Sequence, residues 1–351
     1  MMDLISKIYD TVALDEQENK LVIIDQTLLP NEECFLALDD EDEIIEAIQK
    51  LRVRGAPAIG VAAAIGLYVC ACRLAEDDPE RWRGKILAIK ERIAHARPTA
   101  VNLTWALNRM ERVLLAHPDA SIENMKRTLH NEACAIRDED VDVCRRIGQH
   151  GAQLIADGDG ILTHCNAGRL AAVRYGTALA PIYTAREEGK QIHVYADETR
   201  PLLQGARLTA YELASAGINT TLQCDNMAAS LMASGRIQSV FVGCDRVAAN
   251  GDTANKIGTL GVAILAKYFK IPFYVCAPTS TIDPSCVDGS EIIIESRAAE
   301  EVTQLWYRER MAPNQIQVYN PAFDVAPRAL ITAWITEKGI VRDGSQLAQL
   351  V

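Results

Sequence analysis

The sequence has no excess of positive charge: its net charge is −11 and its pI lies near 5.1. A nucleic-acid surface needs a basic face, so that class of partner is excluded. A pocket for a small anion is not, because it needs only a few local cations. The sequence also lacks a long hydrophobic run. Its most apolar stretch, Ile59 to Cys72, is too short to span a bilayer. The opening MMDLISKIYD has no apolar core of a secretory signal, so the expected location is cytoplasmic, away from membranes. Metal-type spacing is missing as well. Of the ten cysteines the closest pair is Cys70 and Cys72, which point to different faces of one helix. They read as small buried residues and not as disulfides. His95, His117, His130 and His150 have no partner at ligand spacing. No Gly-x-Gly-x-x-Gly follows the first strand of the carboxyl-terminal half, and no Walker motif is found, which argues against a dinucleotide or ATP site. The expectation is therefore no metal and no cofactor.

What is present is a chain of 351 residues, 49% hydrophobic and 24% charged. That length is long for one core, so two domains are expected. The pattern predicts a small mixed α+β domain over 1–120 and a Rossmann-like α/β domain over 121–351, joined by a long helix at about 122–156. In the first, KLVIIDQ (20–26) reads as a strand. Ile44, Ile45, Ile48 and Leu51 have helical spacing. RVRGAPAIG (52–60) then opens an almost wholly apolar helix, 58–74, with Pro57 suited to a first helical position. The amino end of a buried helix offers unpaired N–H groups, and Arg54 beside it makes a seat for phosphate. Residues 77–83 read as a polar break and 86–94 as a helix. Pro98 sets Arg97 on a bend before a further helix, 103–115.

From Gly160 the pattern is strand, turn, helix, repeated, with strand cores at 161–163, 192–195, 220–223, 240–242 and 273–275. Helical stretches at 207–216, 227–234 and 257–270 alternate with them. This predicts a parallel sheet with helices on both sides. Ligands of such sheets bind beyond the carboxyl ends of the strands, and those ends carry chemistry. THCNAG (163–168) places Cys165 at a strand-to-helix turn, where a thiol's pKa tends to fall near a helix amino end. His164 alternates to the other side of the strand. Gln204 and Gly205 start a helix. Asp245 ends the fourth strand, turns on Asn250-Gly251 and Asp252-Thr253 follow, and Asn255 and Lys256 stand at the start of the next helix. Cys70, Cys134 and Cys276 read as inert packing.

RGAPAIG (54–60), ARPTAVNL (96–103), THCNAG (163–168), ADETRPLLQGARLTAYEL (196–213), GCDRVAANGDTANKIGT (243–259), NPAFDVAP (320–327) and ITEKG (335–339) together resemble the methylthioribose-1-phosphate isomerase family. The wider family includes the regulatory subunits of eukaryotic initiation factor 2B and ribose-1,5-bisphosphate isomerase. The resemblance implies an aldose–ketose isomerase of 5-methylthioribose 1-phosphate in methionine salvage, working as a homodimer on a small sugar phosphate. It implies Cys165 and Asp245 as the catalytic pair, and Arg54, Gly55, Ala56, Arg97, Gln204, Asn255 and Lys256 as substrate-binding residues. The competing expectations are an isomerase of 5-deoxyribose 1-phosphate or ribose 1,5-bisphosphate, and a non-catalytic initiation-factor-like subunit. Retention of Cys165, Asp245, Asn255 and Lys256 speaks against the last. GCDR stands where GADR is commoner, and Arg169 where a small residue is more usual; its simplest reading is an exposed helix arginine.

Overall fold

The computed structural model describes residues 10–98 and 100–351. Residues 1–9, which include most of the amino-terminal run, and Thr99 of the ARPTAVNL run lie outside them. The chain forms two compact units, one of residues 1–145 with 168–176 and one of 146–167 with 177–351. The sequence placed the division at 120/121.

In the first unit β1 (Val12–Asp15), β2 (Lys20–Ile24) and β3 (Phe35–Leu38) form an antiparallel sheet in the order β1-β2-β3. Five helices follow: α1 (Glu41–Gln49), α2 (Ala56–Arg73), α3 (Pro79–Ala94), α4 (Val101–Leu115) and α5 (Ile122–Ala152). Asp40 caps α1 by accepting the N–H groups of Asp42 and Glu43. Helix α2 is apolar on every side because it is buried on nearly every side: Ala58 through Ala71 are all buried. Small residues let its neighbours approach. A Cβ on Gly60 would lie 2.8 Å from the Asn102 carbonyl oxygen on α4, and one on Gly66 2.9 Å from Ile44 on α1.

Three expectations are corrected here. Helix α2 runs for 18 residues with a mean hydropathy of 1.6, so it is long and apolar enough to cross a membrane, although the apolar run itself is shorter. Its burial in the unit's own core accounts for that composition. Helix α3 begins at Pro79, inside the expected polar break, because Asp78 caps it and accepts the Arg81 N–H at 2.8 Å while Trp82 anchors its first turn in the core. Helix α5 ends at Ala152, and the boundary between the units falls within it.

The second unit is built on β4 (Gly160–His164), α6 (Ala180–Glu187), β5 (His193–Asp197), α7 (Ala210–Ser215), β6 (Asn219–Gln223), α8 (Ala228–Ala233) and β7 (Ser239–Val242). After these come β8 (Arg246–Ala248), β9 (Thr253–Lys256), α9 (Thr259–Phe269), β10 (Phe273–Cys276), β11 (Ile282–Asp283) and the single-turn α10 (Glu300–Thr303). The chain closes with β12 (Phe323–Ala326), β13 (Ala333–Thr336) and β14 (Gly339–Val341). All five expected strand cores are strands of one seven-stranded sheet, ordered β14-β13-β10-β7-β4-β5-β6 and parallel except for the edge strand β14. Val240, Val242, Phe273, Val275 and Trp334 fill its core. A second sheet, β11-β8-β9-β12, was not anticipated. The fold is thus the expected mixed α/β arrangement, with a Rossmann-like sheet in the carboxyl-terminal unit.

Candidate active site

Strand order in the large sheet reverses at β4. From there the chain steps to β5 and β6 on one side and to β7, β10 and β13 on the other. In open α/β sheets a crevice forms at such a reversal, beyond the carboxyl ends of the two strands. Cys165 follows β4 and Asp245 lies three residues beyond β7, and these two strands pair directly, His164 opposite Val242. Both side chains are half-buried. The fold therefore delivers a thiol and a carboxyl to one edge of one sheet from positions 80 residues apart in sequence.

The Cys165 turn is tightly held. Cys165 has a φ of +68°, a left-handed conformation uncommon for a side-chain-bearing residue. Its N–H donates to Thr199 Oγ1 at 2.8 Å, and its carbonyl accepts from Thr209 Oγ1 at 2.6 Å. Thr199 is itself left-handed, with φ +66°, and is fixed by Asp225, whose two carboxylate oxygens accept the N–H groups of Thr199 and Arg200 at 2.7 Å each. Asn166 donates to Thr209 and to buried Glu212, which also accepts from Tyr183 at 2.9 Å. Strained backbone of this kind persists only where surrounding bonds over-determine it. The sequence marks Thr199 and Asp225 only as parts of the polar strand ends 197–207 and 224–226, and none of Thr199, Thr209 and Asp225 as a support of Cys165, because nothing local marks a threonine whose partner is 34 or 44 residues away.

His164 faces away from Cys165, as strand alternation requires, yet it is fully engaged. Its Nδ1 lies 2.9 Å from Asp197 Oδ2 and its Nε2 2.9 Å from the Ile257 carbonyl. Burial alone would push the imidazole toward its neutral form. The Asp197 carboxylate outweighs that and holds its pKa above the usual histidine value. Both ring nitrogens thus face acceptors, and the ring ties the end of β4 to the turn after β9. Gly258, with φ +105°, lies against the ring, where a Cβ would approach Cε1 to 2.7 Å.

Asn255 and Lys256 do not start a helix; they end β9. Strands β8 and β9 form a hairpin whose turn uses Asn250 and Gly251, with Gly251 at φ +95°. The Asp245 N–H donates to the Ala254 carbonyl at 2.9 Å, so the hairpin brings the acid beside Asn255. Asn255 is buried and donates to Thr259 Oγ1 at 3.0 Å. Lys256 Nζ sits 4.5 Å from the centre of the Phe323 ring. The amino end of α9, which would otherwise offer N–H groups to an anion, is capped by a carboxylate. Asp324 accepts the N–H groups of Gly258 at 2.8 Å and Leu260 at 3.0 Å. Burial raises the Asp324 pKa even against those two bonds. Gln204 precedes one π-helical turn, Gly205–Thr209, ahead of α7. It is buried, and its Oε1 has no hydrogen-bond partner among the described residues.

In the first unit, Arg54, Gly55 and Ala56 form the entry to α2. Gly55 has φ +96°, and a Cβ there would lie 2.4 Å from Ala171 Cα, so only glycine fits. Among the described residues no side chain caps this helix, unlike α1 and α3, so its first-turn N–H groups can take another acceptor. Arg97 is half-buried on the turn between α3 and α4, and its carbonyl accepts the Ala100 N–H at 3.0 Å.

Two further readings are corrected. Arg169 is buried, only 4% exposed, on a short 3₁₀ turn whose Arg169 carbonyl accepts from Thr11 Oγ1 at 2.9 Å. It is not an exposed helix arginine. His130 has partners at ligand distance, Cys134 one helical turn on and Glu16 from the β1–β2 turn. The i,i+4 spacing was visible in the sequence, but Glu16 is far along the chain. Cys134 is half-buried and packs against the first unit's core, as expected, but it also has polar groups beside it. Cys70 and Cys276 are buried, and burial pushes their thiols up, to about 12 for Cys70. None of the ten cysteines forms a disulfide among the described residues.

Comparison with known proteins fits this geometry. The sequence profile of the initiation factor 2 subunit family matches residues 52–343. A methylthioribose-1-phosphate isomerase from Parabacteroides distasonis is 61% identical over 329 residues, covering 94% of this chain and 98% of that protein. A 5-deoxyribose 1-phosphate isomerase from Petrotoga mobilis is 56% identical over 330 residues, covering 94% and 95%. The crystal structure of 5-methylthioribose 1-phosphate isomerase from Pyrococcus horikoshii superimposes with a TM-score of 0.93 at 40% identity, covering 100% of this chain and 97% of that one. With most of its length matched by the profile and nearly all of it by these relatives, the chain belongs to the initiation factor 2 subunit family, on its isomerase branch.

Proposed function

We propose that this protein is the aldose–ketose isomerase that converts 5-methylthioribose 1-phosphate to 5-methylthioribulose 1-phosphate in methionine salvage. The observation that supports the reading is that Cys165 and Asp245 follow the adjacent strands β4 and β7 at the strand reversal of the large sheet. In this substrate the anomeric oxygen bears the phosphate, so the ring cannot open as a free sugar does. Asp245, as its neutral acid, protonates the ring oxygen. Cys165, as its thiolate, takes the proton from C2 to give an enol phosphate and returns it at C1, while the Asp245 carboxylate takes the O2 hydroxyl proton, which leaves the C2 ketone and restores the acid. The rival route is a direct C2-to-C1 hydride shift, with Cys165 stabilising the transition state. Gln204 supports a sugar site through its buried Oε1, which suits a hydroxyl donor. Asn255 and Lys256 hold the substrate from β9. In the first unit Arg54 and the uncapped start of α2 at Gly55 and Ala56 bind phosphate, with Arg97 as a further substrate contact. None of these steps calls for a metal or a redox cofactor. A cytoplasmic homodimer is part of the proposal, supported by ten cysteines with no disulfide among the described residues and by the exposed Ile264 and Tyr268 one turn apart on α9.

The second reading, an isomerase of 5-deoxyribose 1-phosphate, is favoured by the similarity to the relatives of that name. Kinetics on three sugar phosphates side by side test both. Methylthioribose 1-phosphate is expected to exceed the 5-deoxy sugar in kcat/KM by roughly tenfold or more, the scale of a small apolar group in an apolar pocket. It should exceed ribose 1,5-bisphosphate by at least ~10²-fold, because an unmatched phosphate is costly to bury. A preference for the bisphosphate that Arg169→Ala abolishes would overturn the substrate assignment.

A further inference from the structure

We infer that the first unit carries a site for a borderline-soft divalent cation of the zinc or cobalt type, formed by Glu16, His130 and Cys134. Helix α5 places His130 and Cys134 four residues apart, so both side chains leave the same face. Glu16 reaches them from the turn between β1 and β2. Cys134 Sγ lies 3.8 Å from His130 Nε2 and 4.0 Å from Glu16 Oε1, and His130 Nε2 lies 2.8 Å from Glu16 Oε2. A tetrahedral zinc ion with bonds of about 2.0–2.3 Å sets its ligand atoms roughly 3.3–3.8 Å apart. Two of the three edges therefore close by a few tenths of an ångström, and the third opens as the cation replaces the proton between His130 and Glu16.

The surroundings are those of a supported ligand set. His130 Nδ1 is 3.3 Å from Asn131 Oδ1, which leaves Nε2 as the ligating nitrogen. The Tyr68 ring meets the imidazole edge-on at 5.1 Å. The Tyr68 hydroxyl donates to Asn19 Oδ1 at 2.8 Å, holding the turn that carries Glu16. One nitrogen, one sulfur and one oxygen suit zinc or cobalt and not magnesium or calcium, which take oxygen alone. Three protein ligands leave a fourth position for water. None of the three residues belongs to the proposed catalytic or substrate-binding set, so the cation would clamp the β1–β2 turn to α5.

Cobalt(II) titration of the full-length protein, first freed of metal, tests this. The expected result is about one equivalent bound, with a thiolate-to-cobalt charge-transfer band in the near ultraviolet and visible bands of four-coordination. Cys134→Ser should abolish the charge-transfer band, and His130→Ala should weaken binding by at least ~10-fold. Zinc should displace cobalt and raise the thermal unfolding midpoint of the wild type but not of Cys134→Ser. Circular dichroism without metal checks that both variants fold; should Cys134→Ser not fold, Glu16→Gln takes its place, with weaker binding expected. No binding at micromolar cobalt, or a charge-transfer band that persists in Cys134→Ser, would overturn the assignment.

Discussion

Cys165 and Asp245 are the residues on which the proposed chemistry turns. Cys165→Ala and Asp245→Asn are each expected to lower kcat at least ~100-fold with an unchanged circular dichroism spectrum, the lower end of what a positioned proton-transfer group contributes. Near-normal turnover in either would sink their assignment. Cys276→Ala, on a buried thiol that burial drives up in pKa, should change stability more than turnover. His164 supplies a different test. Its raised pKa means the folded protein binds a proton that the unfolded chain releases near pH ~6.5. That contribution is complete below the unfolded value and is lost as pH rises through the higher folded one. Urea midpoints should therefore fall as pH rises from the ordinary histidine value of about 6.5, and His164→Gln should flatten the slope. An identical slope in the variant would show that another group titrates.

At the level of elements, the capping of α9 by Asp324 decides where an anion can bind. Asp324→Ala removes the acceptor of two N–H groups and is expected to cost about 1–2 kcal/mol, measured by urea denaturation, with Asp324→Asn costing less. Stability equal to wild type would mean that water satisfies that helix end. The same region shows what the sequence could and could not reveal. Four of the five expected strands of the large sheet were legible as short, mostly apolar runs bounded by turn residues, and β6, with Leu222 as its one apolar residue, was legible only from the alternation of strand and helix. The β8–β9 hairpin was not, because Arg246-Val-Ala and Thr253-Ala-Asn-Lys are too short and too mixed to show alternation, although its Asn-Gly turn was visible. Asn255 and Lys256 were therefore assigned to a helix start that begins only after Gly258. Asp78-Pro79 is the opposite case, a legible cap hidden by the polar residues around it. The threonine–aspartate lattice under Cys165 was beyond reach, since long-range partners leave no local pattern.

For the whole molecule, turnover is expected to survive exhaustive chelation and to need no nicotinamide. Chelation should lower only the unfolding midpoint, through the Glu16–His130–Cys134 cluster. Activity lost in EDTA and restored by one metal would contradict the proposed chemistry. A last consequence concerns synthesis, because the first unit is not continuous in sequence: residues 168–176 belong to it. The Thr11 N–H donates to the Val173 carbonyl at 3.1 Å, Gln26 Nε2 to the Leu170 carbonyl at 2.7 Å, and the Val173 N–H to Asp140 Oδ2 at 2.7 Å. Antiparallel pairing of Gly168 with Gly176 closes that excursion into a loop. On the ribosome, the amino-terminal 145 residues thus emerge without the piece that completes their own core. The unit cannot finish folding until β4 and the Cys165 turn have already been made. A fragment ending at Arg145 should expose amides that the intact chain protects from hydrogen exchange, and a peptide of residues 168–176 supplied in trans should restore part of that protection.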